Sequence, residues 1–304
     1  MTHLPNQVGI RKISESDLYI SEPKPALFGN ESNDSNNSNW TNRNWLKSRF
    51  HFSFAEWTTG RSNLGCLRVV NDDLVQPLRG FGAHGHRDME ILTYVLKGGL
   101  THQDSMGTQE TLHRGSVQFM TAGTGVQHSE KNLNDEQELR FIQSWIMPRK
   151  QGLKPHYGSF VGRHLIESHL NNQWFHLVSD KGQSGKVQIN QDCNLFVSQI
   201  DAQNRLVFDF LPARQGYVVC LEGSVRVDNL FLDKHPYSEV AWHQVGKQYF
   251  DLKEYDKALA AFDFAIISDD YFVGAYMEKG KVLEKMGRLK EAIENYHITL
   301  ELDD

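Results

Sequence analysis

Between Phe50 and Val227 apolar positions recur with a period of two or in short β-branched runs. The runs are CLRVV (66–70), ILTYVL (91–96), GSVQFM (115–120), FIQSWIM (141–147), KVQI (186–189), LFVSQI (195–200), RLVFDF (205–210) and YVVCLEGSVRV (217–227). Side chains alternate faces along a strand, and the glycine turns KGG (97–99) and SMG (105–107) separate several runs, so the pattern predicts short antiparallel strands in sandwiches or barrels. The texture lies on both sides of residue 150, which implies two barrel units. An edge strand is expected near Val8–Ile13. Residues 30–45 are Asn/Ser-rich with almost nothing apolar to bury, and read as a flexible insertion or linker.

After Asn229 the period becomes helical and the chain repeats at 34 residues. Trp242 pairs with Tyr276, Gly246 with Gly280, Ala258 with Ala292 and Phe262 with Tyr296. Small residues at such positions let paired helices approach, and large ones fill the gaps between them. Spacing and residues resemble the tetratricopeptide repeat, with Pro236 at a repeat-closing position. Four parts are therefore expected: an N-terminal segment (1–45), a metal-binding barrel (46–150), a partial second barrel (151–229) and two helical repeats (230–304).

Composition narrows the function. The 304 residues carry a formal charge of −6, which argues against direct nucleic-acid binding. Neither a signal-peptide core nor a run of membrane-span length is present. Cys66, Cys193 and Cys220 are far apart and without CxxC spacing, which fits a reducing cytoplasm better than a disulfide framework.

The chemistry gathers in two stretches. In GFGAHGHRDMEILTYVLKGG (80–99), His84 and His86 are two apart, so on a strand both imidazoles face one side. In GSVQFMTAGTGVQHSE (115–130), His128 and Glu130 repeat that spacing after a tight TAGTG turn. Two strand pairs, each offering two donors, can close on one ion. Three imidazoles and a carboxylate leave two octahedral positions open; the set suits Fe(II), Mn, Ni, Cu or Zn without choosing among them. Glu90 is the rival carboxylate. Phe81, Phe119 and Met120 are candidate pocket walls, while His102 and Asp104, at a strand end, read as structural. The other histidines stand alone.

The motifs GFGAHGHRDMEILTYVL, THQDSMG (101–107), QFMTAGTGVQHSEKN and QSWIMP (143–148), with SRFHFSF (48–54) and LRVVNDDLV (67–75), resemble the pirin family over residues 46–228. The resemblance implies two all-β double-stranded β-helix (cupin) barrels, the second truncated here and followed by an all-α helical-repeat segment. It implies iron on His84, His86, His128 and Glu130. For the bacterial type, which HRDMEILTYVL and HQDSMG favour, it implies cleavage of a flavonol such as quercetin by O2. The flavonol 3-hydroxyl and 4-carbonyl would meet the open metal face, with Glu130 as the base. The alternative is a metal-bound regulator whose repeats take a peptide or protein partner, as eukaryotic members act. Between Leu195 and Val227 there is no histidine, so the second barrel offers no matching ligand set. The chain is expected to leave the family near Asp228–Leu230, with both parts cut within an element, as in a chimaera.

Overall fold

Alternation along the chain resolves into two facing sheets. The computed structural model describes residues 12–13, 18–30, 45–54, 60–162, 170–227, 230–233, 243, 246–247, 249–268 and 273–303. The edge strand expected near Val8–Ile13 and the Asn/Ser-rich stretch fall almost wholly outside them, as do Trp242 and Pro236. No helix among the described residues is long and apolar enough to cross a membrane.

The chain divides into two units, one spanning Ser16–Tyr217 and the other beginning again at Val218. In the first, one antiparallel sheet joins β1 (Tyr19–Ser21), β2 (Leu46–Phe50), β3 (Leu67–Val75), β10 (Leu139–Ile146), β5 (Glu90–Lys97), β8 (Val117–Thr121) and β11 (His156–Phe160), in that order. The opposing sheet runs β4 (Gly80–His86), β9 (Val126–Asn132), β6 (Gly99–Asp104), β7 (Gln109–His113).

Period two then sorts the inward residues into layers. On β5, Ile91, Thr93 and Val95 share a face; on β10, Phe141, Gln143 and Trp145 do. Val95 and Phe141 close one end of the barrel with Trp45, Leu46, Val75, Leu100, Leu112 and Leu139. Ile91 closes the other with Met120, Ala122 and Val126, against which Trp145 and Tyr157 pack. The polar Thr93 and Gln143 are left between two apolar plugs.

The opposite face of the seven-stranded sheet is apolar too. Leu92, Val117, Phe119 and Ile146 bury themselves against Leu177, Val178, Val187 and Ile189. These partners come from a three-stranded sheet of β12 (Phe175–Asp180), β13 (Val187–Ile189) and β14 (Leu195–Val197). Phe119 therefore belongs to this seam and not to the pocket wall expected of it, because it lies one residue out of phase with Gln118 and Met120. The buried carboxylate of Glu90 seals the seam, accepting from Thr121 Oγ1 (2.9 Å), the Asn190 amide N–H (2.6 Å) and Asn190 Nδ2 (2.8 Å). Glu90, the rival carboxylate, thus faces the seam, and among the described residues it groups with none of the candidate histidines.

RLVFDF forms no strand; among the described residues the next strand after β14 is β15 (Ser224–Val227), which pairs with β16 (Leu230–Asp233). Val207, Phe210 and Leu211 stay exposed, since alternation without a partner ladder does not make a strand.

In the second unit, α1 (Tyr255–Ser268), α2 (Val273–Lys285) and α3 (Leu289–Asp303) bury Ala258, Leu259, Phe262, Val282, Leu283 and Ala292 together. A methyl group on Gly246 would sit 2.5 Å from the Phe262 ring, and one on Gly280 would sit 2.4 Å from that of Tyr296. Glycine is required at both close approaches.

Candidate metal centre

Ladder register sets the site. His84 lies opposite His128 between β4 and β9, while Asp104 lies opposite His128 and His102 opposite Glu130 between β6 and β9. The turn that returns the chain into β9 needs Gly123, whose φ of +46° and position against the Leu153 carbonyl leave no room for a side chain.

The structure brings His84, His86 and His128 together. Their ring centroids are 4.6–4.8 Å apart, and one nitrogen from each lies within 4.8 Å of the others. Glu130 falls in a second group on the same 4.8 Å scale, with His128 and His102. The four residues picked from the sequence thus form two overlapping clusters that share His128, and His102 joins a site that its place at a strand end did not suggest. Asp104 keeps a structural role. It caps the turn amides of Met106 (2.8 Å) and Thr108 (3.0 Å), and it accepts from His102 Nε2 at 3.0 Å.

The donor chemistry fits a cation. His84 Nδ1 lies 2.7 Å from the Gly82 carbonyl, which only accepts; Nδ1 therefore carries a proton, and Nε2 is the nitrogen this bond leaves for a ligand. His128 is 2% exposed and neither ring nitrogen has a hydrogen-bond partner, a costly arrangement unless something else fills it. Burial, reinforced by the neighbouring imidazoles, holds both His86 and His128 at about 3. Neutral imidazoles are the form that ligates metal.

Glu130, 2% exposed, is bonded from the opposite sheet. Its Oε1 accepts from Gln118 Nε2 (2.6 Å) and Thr93 Oγ1 (3.2 Å), and its Oε2 accepts from Gln143 Nε2 (2.7 Å). Trp145 Nε1 donates to Gln143 Oε1 at 2.9 Å, and the Trp145 ring meets His86 edge-on at 4.8 Å. The Tyr157 hydroxyl donates to Glu110 Oε2 at 2.9 Å, and its ring stacks on His102 at 4.5 Å. Of the expected walls, Phe81 sits 6.5 Å from the His84 ring and Met120 joins the plug beside Trp145. Gln118, Gln143, Trp145 and Tyr157 were not singled out from the sequence. The signal available was period two: Gln118 shares a face with Met120, and Gln143 with Trp145.

Comparison with known proteins places this geometry. Residues 33–146 match the family model described as Pirin, and residues 176–235 match the model of the quercetinase C-terminal cupin domain. The second match runs beyond Leu230, so the family pattern extends further than the sequence motifs suggested and takes in β16. The chain is 34% identical over 195 residues to the quercetin 2,3-dioxygenase of Escherichia coli K12, covering 62% of this chain and 80% of that protein. It is 36% identical over 191 residues to a pirin-like protein of Caulobacter vibrioides, covering 62% and 81% respectively. The crystal structure of YhhW from Escherichia coli is similar at a TM-score of 0.51 and 30% identity, covering 71% of this chain and 86% of that one.

Proposed function

The chain belongs to the pirin family, and on that premise we propose that it is a metal-dependent dioxygenase of the quercetinase type. Its substrate is a flavonol-like aromatic, cleaved with O2. The fold is the mostly β, cupin-like pirin fold with a small C-terminal helical segment. One observation carries the reading. Three imidazoles converge in the barrel, and the most buried, His128, has two nitrogens without a partner.

His84, His86, His128 and Glu130 would hold a divalent metal, with Fe(II) the choice the family resemblance favours. When bound, the metal supplies Lewis acidity toward a hydroxy-ketone and an electron path to O2. The chain's own residues do the rest. Glu130 takes the flavonol hydroxyl proton. Phe81 gives an aromatic substrate apolar surface, and the plugs at either end of the barrel, Met120 among them, keep water out. The test is turnover of quercetin by Fe(II)-loaded protein, read as loss of flavonol absorbance and release of carbon monoxide. No turnover at full metal occupancy would sink the enzymatic reading.

A second reading, a metal-bound regulator whose helices take a peptide partner, is favoured by one observation. The Gly246–Phe262 and Gly280–Tyr296 packings repeat at the 34-residue spacing, which supports two tetratricopeptide repeats. The C-terminal half we read as a barrel short of its last strands. Exposed Val207 and Leu211 support this.

A further inference from the structure

Glu130 is held by neutral amides, and the way those amides are turned is itself fixed. An amide can present either its NH2 or its oxygen to a carboxylate; only the first attracts. At Gln143 the choice is made by Trp145, whose indole N–H can only donate and so captures Oε1, leaving Nε2 for Glu130. At Gln118 the same outcome places Nε2 on Glu130 and within 3.4 Å of Thr93 Oγ1. With Thr93 as the second donor to Oε1, these groups leave one lone pair on Oε2, and Glu130 groups with His128 and His102. Trp145 also packs its ring against His86, so one side chain touches the first donor pair directly and reaches Glu130 through Gln143.

We propose that Gln118 and Gln143 are positioning residues that clamp Glu130 toward the metal, and that Trp145 locks the clamp by fixing the Gln143 amide. The proposal rests on the metal-site reading above. Neither glutamine needs to touch substrate or ion. Outer partners of this kind typically change metal affinity about 10- to 100-fold.

The experiment uses the full chain with Co(II) as the probe, reading dissociation constant and visible absorption bands. Trp145→Phe keeps the ring against His86 and Phe54 but removes the N–H. W145F and Q143L are each expected to weaken Co(II) binding about tenfold or more and to shift the bands, and Q118L to do likewise. Because the lock acts only through Gln143, W145F/Q143L should bind no more weakly than Q143L alone. In an E130A background neither substitution should have any further effect. Wild-type affinity and bands in both W145F and Q143L would overturn the clamp, as would losses that add in the double variant or persist without Glu130. Should Q143L not fold, W145F with and without Glu130 still decides. Failure of the wild type to bind Co(II), or binding untouched by H84A and H128A, would instead remove the metal reading and the clamp with it.

Discussion

The barrel of residues 45–160 and the C-terminal half of residues 170–217 are written in the same alphabet of short apolar runs, yet they fold to different degrees. ILTYVL becomes the body of an eight-residue strand with a partner on each side, β10 and β8. RLVFDF, with an equally clear alternation, becomes no strand, and Val207 and Leu211 remain 62% and 68% exposed. The difference lies in the company each run keeps. A strand needs its backbone groups paired in a ladder and one face covered, and the first barrel supplies both; after β14 Val207 O meets only the Trp174 side chain and Phe208 packs on Trp174 and Phe196, with no ladder formed. Chemistry divides the same way. Every group in the candidate site comes from the first barrel, whereas His176 in the second is bonded to Ser184 and Asn194.

This contrast can be broken at several points. The largest effect is expected at His128. H128A should abolish stoichiometric metal binding and flavonol turnover, while H176A leaves both near wild type; elemental analysis after loading checks this. Next come the cores. Phe141 is fully buried, so F141A should cost about 3–5 kcal/mol in urea unfolding. L211A should stay within about 0.5 kcal/mol. An equal loss from both would mean that the second half is as tightly packed as the first.

A pH effect comes third. Burial holds His51 at about 4 in the fold, below its ordinary 6.5, and its Nδ1 pairs with the Tyr217 hydroxyl at 2.8 Å. The unfolded chain therefore takes up the proton first on acidification. Stability is full above pH 6.5 and falls by on the order of 3 kcal/mol as pH drops toward 4. In H51Q that portion of the slope should disappear; an unchanged slope would assign it to other groups. The smallest effect concerns the seam. N190A removes the side-chain donor to buried Glu90, while the backbone N–H stays, and should cost about 1 kcal/mol, seen as earlier proteolysis of the C-terminal half.

How far the sequence could be read follows the same division. The strands around residues 66–146 and the histidines of the site were legible because alternation, turn glycines and two-residue spacing all pointed one way. The amide clamp was not, since a glutamine on a strand is ordinary until the opposite sheet is known to present a carboxylate. Phe119 was misplaced because both faces of its sheet are apolar, so hydrophobicity could not say which face is the pocket. His102 was passed over because its significance depends on lying opposite Glu130, a matter of register between β6 and β9. RLVFDF failed because pairing partners are not written in the strand itself.

Register also governs how such a site can change over generations. His84, His102, Asp104, His128 and Glu130 meet because three neighbouring strands keep their rows aligned beyond the irregularity between Phe81 and His84. Loss or gain of one residue within β6 or β9 would turn every donor beyond that point to the outside at once. This centre can therefore be tuned by substitution but hardly by insertion or deletion, and new lengths of chain are tolerable only where no row has to be kept.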